Sequence, residues 1–577
     1  MSRDFRPRRE TSLREGTVLN RPQEPKTSCA ADAPGAGRPR VAGFRAARAR
    51  TALVLAALAL VYFYRIDRPL LWGDEADTGI IARNVLRSGL PVATDGRNVT
   101  LYDDGVQLNR NLLVKRMPWV QYYWGALSLA LFGDTTGGLR ALFAAAGLLA
   151  FFPIRAVLKS RVTQPEITAA LALLAPQIVL FQRNARYYPI LILLYSLLVW
   201  HLHADFRGVW KRLALATLII VLLFHTHPFA AACAGLSLIL FCLIFRREAL
   251  PVYFIASAVG FLSWAVWYAY LGPPLCEMPL RLWAIPEQGA LWFRSFFADV
   301  LAGLVDLDAV GCLPLLLCAT VLGLLAWRGR RVAASILREP LVAFTLLNVL
   351  IQVVATAGLI GSETPAGYAL LRYMPHLLVF TLLACFQALR EALPVRRLYA
   401  PIAAAAVACN ALTFSFWAAP LARDPPVSWL PGVYEEVFRP EVGPWDNLIA
   451  RLRLCAPNPA GPGATIVALP PWTQEIALFY LGDRYRVTPF LGPLAAPGRQ
   501  ALRRVMGEEA AARLFAPPDW IVDSLGLLER DPAGYVTVAV FPANRLRPDN
   551  GARPELTRHS FRQRAVARNI RLLERWP

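Results

Sequence analysis

Long apolar runs recur along the first three quarters of the chain, most of them near the ~17–25 residues needed to cross ~30 Å of hydrocarbon. They fall at 49–65, 119–132, 138–155, 166–182, 188–203, 211–226, 228–245, 250–271, 299–327, 340–361, 369–389 and 397–418. The pattern predicts an all-α polytopic membrane bundle of about 11–13 transmembrane helices, odd in total. Basic linkers stand at 155–161, 207–212, 246–247, 328–338 and 390–397. Cytoplasmic loops attract Lys and Arg, and Arg45, Arg48 and Arg50 precede the first run. The N-terminus is therefore expected in the cytoplasm. The connections at 182–188, 225–228, 272–298 and 361–368 are expected outside, with everything past 419. The run at 119–132 is short and aromatic-rich. Two full crossings between 119 and 155 would put Arg155 to Arg161 outside, so that run either lies at the interface or crosses with adjusted geometry.

The remaining polar stretches divide the chain further. Residues 1–48 are rich in Arg, Pro and Ala with no apolar run, and read as a disordered basic cytoplasmic tail. Nothing there looks like a cleaved signal, and the first span is expected to serve as its own insertion signal. A polar loop at 67–117 separates the first two runs. Within it, Ile80, Ile81, Val85 and Leu86 recur at helical spacing before Ser88-Gly89. This predicts an amphipathic helix from Asp74 lying on the membrane surface, with Arg83, Asn84 and Arg87 on its polar face. Past 419 the chain becomes rich in Pro, Arg and turn residues. Short β-like runs at Thr465–Leu469, Trp520–Val522 and Tyr535–Val540 enclose or follow helical stretches at Gln474–Leu481 and Arg499–Leu514. Strands alternating with helices predict a small extracytoplasmic α/β domain over 420–577.

Composition agrees with the membrane assignment. Of 577 residues, 56% are hydrophobic and 18% charged, with mean hydropathy +0.40; a soluble chain carries roughly 25% charged residues. A net charge of +21 would point to nucleic acid in a soluble protein. Here the Arg clusters between apolar runs are explained by positive-inside topology, the Arg-rich C-terminal tail standing apart, and no nucleic-acid partner is expected. The nine cysteines show no pairing or zinc spacing; Cys233, Cys242, Cys318, Cys385 and Cys409 lie in apolar runs, where Cys acts as a small hydrophobe. The Ala-, Arg- and Leu-rich composition and the lack of an organellar signal point to a bacterial inner membrane.

Three carboxylates, Asp74, Glu75 and Asp77, stand at the mouth of the first span. A charge beside a bilayer is either used or hydrated, and an ordinary loop is one reading. The other rests on the cations that later external loops supply. Arg183 and Arg186, followed by Tyr187, interrupt an apolar hairpin against the positive-inside bias. Their planar forks match phosphate oxygens, or they pair with an acidic loop. His225 and His227 could ligate a divalent metal beside a carboxylate, or simply make hydrogen bonds. Arg372 and Tyr373 open a late span after Glu363. An Arg so placed should face a cavity and a counter-charge, Glu363 being one candidate. No internal repeat and no Gly-rich nucleotide loop is present.

Taken in order, these residues resemble the membrane-embedded GT-C superfamily glycosyltransferases that use lipid-phosphate-linked sugars. The likeness is greatest to the protein O-mannosyltransferase and lipid A aminoarabinose transferase branch. A first span leads into Asp74-Glu75. A Lys-x-x-Pro-aromatic segment follows (Lys115, Pro118, Tyr122, Tyr123, Trp124), then Leu131-Phe132-Gly133 and Leu139-Arg140. Arg183 to Tyr187 and Arg372-Tyr373-Met374-Pro375 complete the set. It covers residues 50–420, so the transferase domain is expected over 49–419. Two positions depart from the family pattern: the usual proline pair is Met117-Pro118, displaced by Arg116, and an Asp after the third element is replaced by Tyr187 or Tyr188.

The resemblance implies transfer of a sugar from a polyprenyl-phosphate donor to an acceptor on the outer face, with inversion at the anomeric carbon. Asp74, then Glu75, would act as base. Lys115, Arg116, Arg183, Arg186, Tyr187, Arg372 and Tyr373 would bind the donor phosphate. The aromatics at 119–124 would border the polyprenyl groove. A divalent ion, if one takes part, would sit at His225 or His227 beside a carboxylate; no other cofactor is expected. Membrane lipid is an expected partner, and the acceptor is unassigned. The rival is a transporter or flippase of lipid-linked sugars, which also needs Arg for phosphate. Such proteins tend to show repeated halves and broken spans at matched positions, which this chain lacks.

Overall fold

In a computed structural model the described residues are 39–101, 107–275 apart from 163, 205 and 207, 296–297, 300, 330–359, 374–392, 437–438, 444–455, 464–469, 473–488, 496–514, 518–523, 535–541 and 570–575. Arg372, Tyr373 and Glu363, and the apolar runs at 299–327 and 397–418, lie outside them. The chain divides into two compact units, Met1–Arg50 and Thr51–Pro577.

Helix α1 (Pro39–Phe63) covers the first predicted span, and α2 (Gly73–Ser88) is the loop helix. Then follow α3 (Val120–Phe132), α4 (Thr136–Leu149), α5 (Phe151–Leu158), α6 (Pro165–Leu173), α7 (Pro176–Gln182), α8 (Tyr188–His203), α9 (Val209–Phe224), α10 (Pro228–Phe245) and α11 (Leu250–Tyr270). Beyond these lie α12 (Arg330–Arg338), α13 (Pro340–Leu359) and α14 (Pro375–Ala392). Pro165, Pro176, Pro228, Pro340 and Pro375 each open a helix, where a missing N–H removes only a group that would be unbonded anyway. Among the described residues four helices are long and apolar enough to cross a membrane: Thr136–Leu158, Pro228–Phe245, Arg247–Tyr270 and Pro340–Gly358; Tyr188–His203 and Pro375–Ala388 are shorter and apolar. Phe254, Phe261, Leu262 and Val266 stand exposed on α11, as side chains facing lipid would. Gly260 lets α9 close on α11, since a Cβ there would meet Ile220 and Phe224 at 2.8 Å. Such small residues permit tight helix contacts where burial from water supplies no force. The chain is a multi-pass helical membrane protein.

The C-terminal part contains α15 (Pro444–Cys455), β1 (Thr465–Leu469), α16 (Gln474–Leu481), β2 (Arg486–Thr488), α17 (Ala496–Met506), α18 (Glu508–Leu514), β3 (Trp520–Asp523), β4 (Tyr535–Phe541) and β5 (Ile570–Arg575). The strands form one mixed sheet in the order β2-β1-β3-β5-β4. β1 runs parallel to β2 and β3, while β5 is antiparallel to β3 and β4. The single helix expected over Arg499–Leu514 is two, broken at Gly507, whose φ of 84° glycine adopts without strain.

Candidate active site

Helix α2 begins with Asp74 and Glu75 in its first turn, where carboxylates favour the positive end of a helix. It stops where Gly89, at φ 77°, turns left-handed and donates its N–H to the Val85 carbonyl. The helix is present where its spacing predicts, but of its expected polar face only Arg87 stays open, paired with Asp95. Twelve of its residues are buried, Asn84 among them. Gly125 of α3 packs on one side, 3.2 Å from Ala82 by its would-be Cβ, and Phe479 of α16 covers Gly79 on another. Arg83 pairs with Asp134, donates to the Phe479 carbonyl and lies 3.8 Å from the Phe479 ring. Arg83 is thus covered by the C-terminal part and the α3–α4 turn, while Asn84 donates to the Val92 carbonyl.

The carboxylates of α2 face different partners. Glu75 is gripped by Arg140 through Nε–H (2.8 Å) and an Nη–H (2.5 Å), and it also accepts the Ala185 N–H at 2.7 Å. Arg140 further donates to the carbonyls of Ile66 and Pro69. Asp74 and Asp77 share the guanidinium of Arg186, at 3.5 and 3.7 Å, and Arg186 also donates to the Asp74 carbonyl. Asp74, Glu75, Asp77 and Arg186 are all at most 4% exposed. Removal from water raises the cost of any unmatched charge, so the two Arg residues are what allow these acids inside.

A further acid reaches this group from a distant part of the chain. Thr100 Oγ1 lies 3.5 Å from Asp77 and 3.3 Å from Glu475, the second residue of α16. Each residue of α16 is buried, and its anchors are specific. Leu71 N–H donates to the Tyr480 hydroxyl, which also bonds Thr136; burial pushes that hydroxyl up to about 12. The Asn98 amide donates to the Gly482 carbonyl and accepts the Val487 N–H, and Gln474 donates to the Val99 carbonyl. Sequence reasoning missed Glu475, Thr100 and the grip of Arg140. The signal for Glu475 was a carboxylate opening an otherwise apolar octet.

The expected phosphate-binding cations are dispersed in role. Arg183 is directed to the end of α1, donating to the carbonyls of Val61, Tyr62, Tyr64 and Arg65, groups a helix C-terminus leaves unbonded. Lys115 serves α11 in the same way. Its Nζ donates to the carbonyls of Tyr268 and Gly272 and lies 3.9 Å from the Tyr268 ring, while burial and then Arg116 lower its pKa. Arg186 does join the acidic group, while Tyr187 packs against Tyr188 and His227 with its ring 5.9 Å from the Arg186 guanidinium. Arg116 is partly exposed beside Lys115.

His225 and His227 are engaged separately. His225 Nε2 bonds Ser263, and His227 Nδ1 caps α10 by accepting the Ala230 N–H. Among the described residues no three His, Cys, Asp or Glu are grouped to hold a metal ion. No step below runs through a metal.

Of the aromatic segment, Trp119 and Tyr123 are tied to the backbone at Val114 and Gly89. Tyr122 instead is fully buried, with the charges of Asp77, Arg186 and Asp74 bearing on it. Two polar clefts of about 750 and 510 Å³ share Arg83, Asp134, Arg453, Phe479 and Tyr480 as lining; neither is lined by Asp74, Glu75 or Asp77.

No family model and no curated protein matches the sequence. Solved structures do match in fold. ArnT from Cupriavidus metallidurans bound to undecaprenyl phosphate aligns over 90% of this chain and 97% of its own, with TM-score 0.53 and 16% identity. Its apo state aligns over 92% and 98%, with TM-score 0.44 and 14% identity. The archaeal oligosaccharyltransferase AglB from Archaeoglobus fulgidus, in complex with an inhibitory peptide and a dolichol-phosphate, aligns over 84% and 70%, with TM-score 0.45 and 12% identity. The chain thus shares its overall fold with ArnT along nearly the whole length of that protein.

Proposed function

We propose that this protein is a glycosyltransferase that moves a sugar from a polyprenyl-phosphate donor to an acceptor on the outer face of the membrane, with inversion at the anomeric carbon. The acceptor class is a lipid, polysaccharide or protein. The bilayer is a bacterial inner membrane, with the N-terminus cytoplasmic and the C-terminal domain periplasmic. One observation carries the reading: Asp74 and Asp77 converge on the buried guanidinium of Arg186, which sets carboxylates and a cation at one place in a GT-C fold. That ArnT was crystallised with undecaprenyl phosphate supports a polyprenyl monophosphate as the leaving group.

In the proposed step the acceptor O–H gives its proton to a carboxylate, and its oxygen attacks the anomeric carbon from the side opposite the phosphate. The bond from that carbon to the phosphate oxygen breaks, and its electron pair leaves with the polyprenyl phosphate. Asp74 is the base. Glu75 is the weaker candidate, because three hydrogen bonds from Arg140 and Ala185 already occupy its oxygens. In this reading Arg186 and Tyr187 bind the leaving phosphate, with Arg116, Arg372 and Tyr373 as further candidates, and Lys115 joins them only by leaving the Tyr268 and Gly272 carbonyls. A preorganised cation acts strongly in such a dry site, where little water screens it. Arg183 supports the assembly from the end of α1.

The test incubates purified protein with a panel of polyprenyl-phosphate sugars and reads free polyprenyl phosphate by mass spectrometry. Release with any donor supports the transferase and identifies the donor. Movement of intact donor between liposome leaflets without release would replace it with a flippase.

A further inference from the structure

One polar contact that links the C-terminal domain to the carboxylates of the acidic helix is the Thr100 hydroxyl. One hydroxyl carries one proton, yet it faces two carboxylates, Asp77 at 3.5 Å and Glu475 at 3.3 Å. Both distances exceed the usual 2.5–3.0 Å range for O–H···O bonds, as expected when a single donor is divided. Thr100, Asp77 and Glu475 are 2%, 4% and 0% exposed, so bulk water does not relieve the competition. From Asp77 the chain of contacts continues to Arg186 and on to Asp74.

Beside these groups the buried Tyr122 hydroxyl faces the side chain of its neighbour Gln121. The Trp72 indole N–H, just before α2, is buried without a hydrogen-bond partner among the described residues.

We propose that Thr100 and Glu475 are positioning residues of the transfer reaction, acting through Asp77 and Arg186 on how Asp74 is held, so that α16 of the C-terminal domain is a working part of the catalytic centre. The inference rests on the transferase reading above. Removing the Glu475 charge would shift the Thr100 proton towards Asp77, changing Asp77's hold on Arg186 and with it the restraint on Asp74. Removing the Thr100 hydroxyl would remove the donor that faces both Asp77 and Glu475.

The test uses the full-length protein, with Thr100→Val, Glu475→Gln, the double variant and Thr100→Ser, each checked for wild-type elution and melting. Thr100→Val and Glu475→Gln should each lower kcat at least about tenfold, with donor KM nearly unchanged, as for groups acting in the transition state rather than in ground-state binding. Thr100→Ser should retain wild-type kcat. The double variant should be non-additive, because both residues act through one hydrogen-bond chain. Wild-type kcat in folded Glu475→Gln, or additive effects in the double variant, would overturn the proposal. If Thr100→Val does not fold, Glu475→Gln alone decides. Loss of the transferase reading itself shows differently: wild-type protein would then release no polyprenyl phosphate from any donor.

Discussion

Arg140 holds Glu75 by two near-parallel N–H···O bonds, with side chains 5% and 1% exposed. Their positions in the sequence are 65 residues apart, so the pair ties α2 to α4. Removing one partner of a buried pair leaves the other charge unmatched, at a cost of about 3–5 kcal/mol. Arg140→Ala should therefore sharply lower the melting temperature in detergent. Arg140→Lys keeps the charge but not the fork, and should fall between. Wild-type melting for Arg140→Ala would remove the pair from the scaffold.

Gly79 is the point where α16 closes on α2. A Cβ there would lie 2.4 Å from the Phe479 ring and 3.0 Å from Leu139, and Phe479 is itself held under Arg83. Gly79→Ala should cost about 1–3 kcal/mol, the usual penalty for overpacking. Limited proteolysis should show the C-terminal domain cut faster than in wild type, and transferase rate should fall with it.

Arg183 separates scaffold from ligand binding. Its bonds to four carbonyls at the end of α1 predict that Arg183→Ala lowers stability by about 1–3 kcal/mol, the cost of leaving buried acceptors unmatched. Donor KM in the surviving folded protein should stay near wild type. A large rise in donor KM with unchanged melting would return Arg183 to the phosphate site.

Tyr480 gives the docking a pH limit. Burial raises its hydroxyl to about 12 from an ordinary 10. A raised folded pKa contributes stability that is complete below the unfolded value and is lost as pH rises through the folded one. Protease resistance of the C-terminal domain should therefore hold to pH 10 and decline towards 12. Tyr480→Phe should be weaker at neutral pH and lack that decline.

Much of the scaffold was legible because its signals are local. Helix α2 follows from apolar spacing and the Ser88-Gly89 stop, and β1 and α16 appear at the expected residues. β2 was missed because three residues carry no period, and β5 because Arg571, Glu574 and Arg575 disguise it within an Arg-rich tail; pairing with β3 and β4 fixes it. At the site, residue type pointed to Asp74, Glu75 and Arg186. It could not separate Arg183 from Arg186, since the two stand three apart and differ only in which way the turn aims them. Nor could it bring Glu475 to Thr100, a contact that spans 375 residues and exists only once α16 is docked.

The central claim is that Asp74 is the base of a transferase. The direct measurement is single-turnover release of polyprenyl phosphate by Asp74→Asn, compared with wild type at equal melting temperature and equal donor binding. The account predicts a loss of about 100- to 10,000-fold, the range general-base catalysis supplies. Release at the wild-type rate would contradict it.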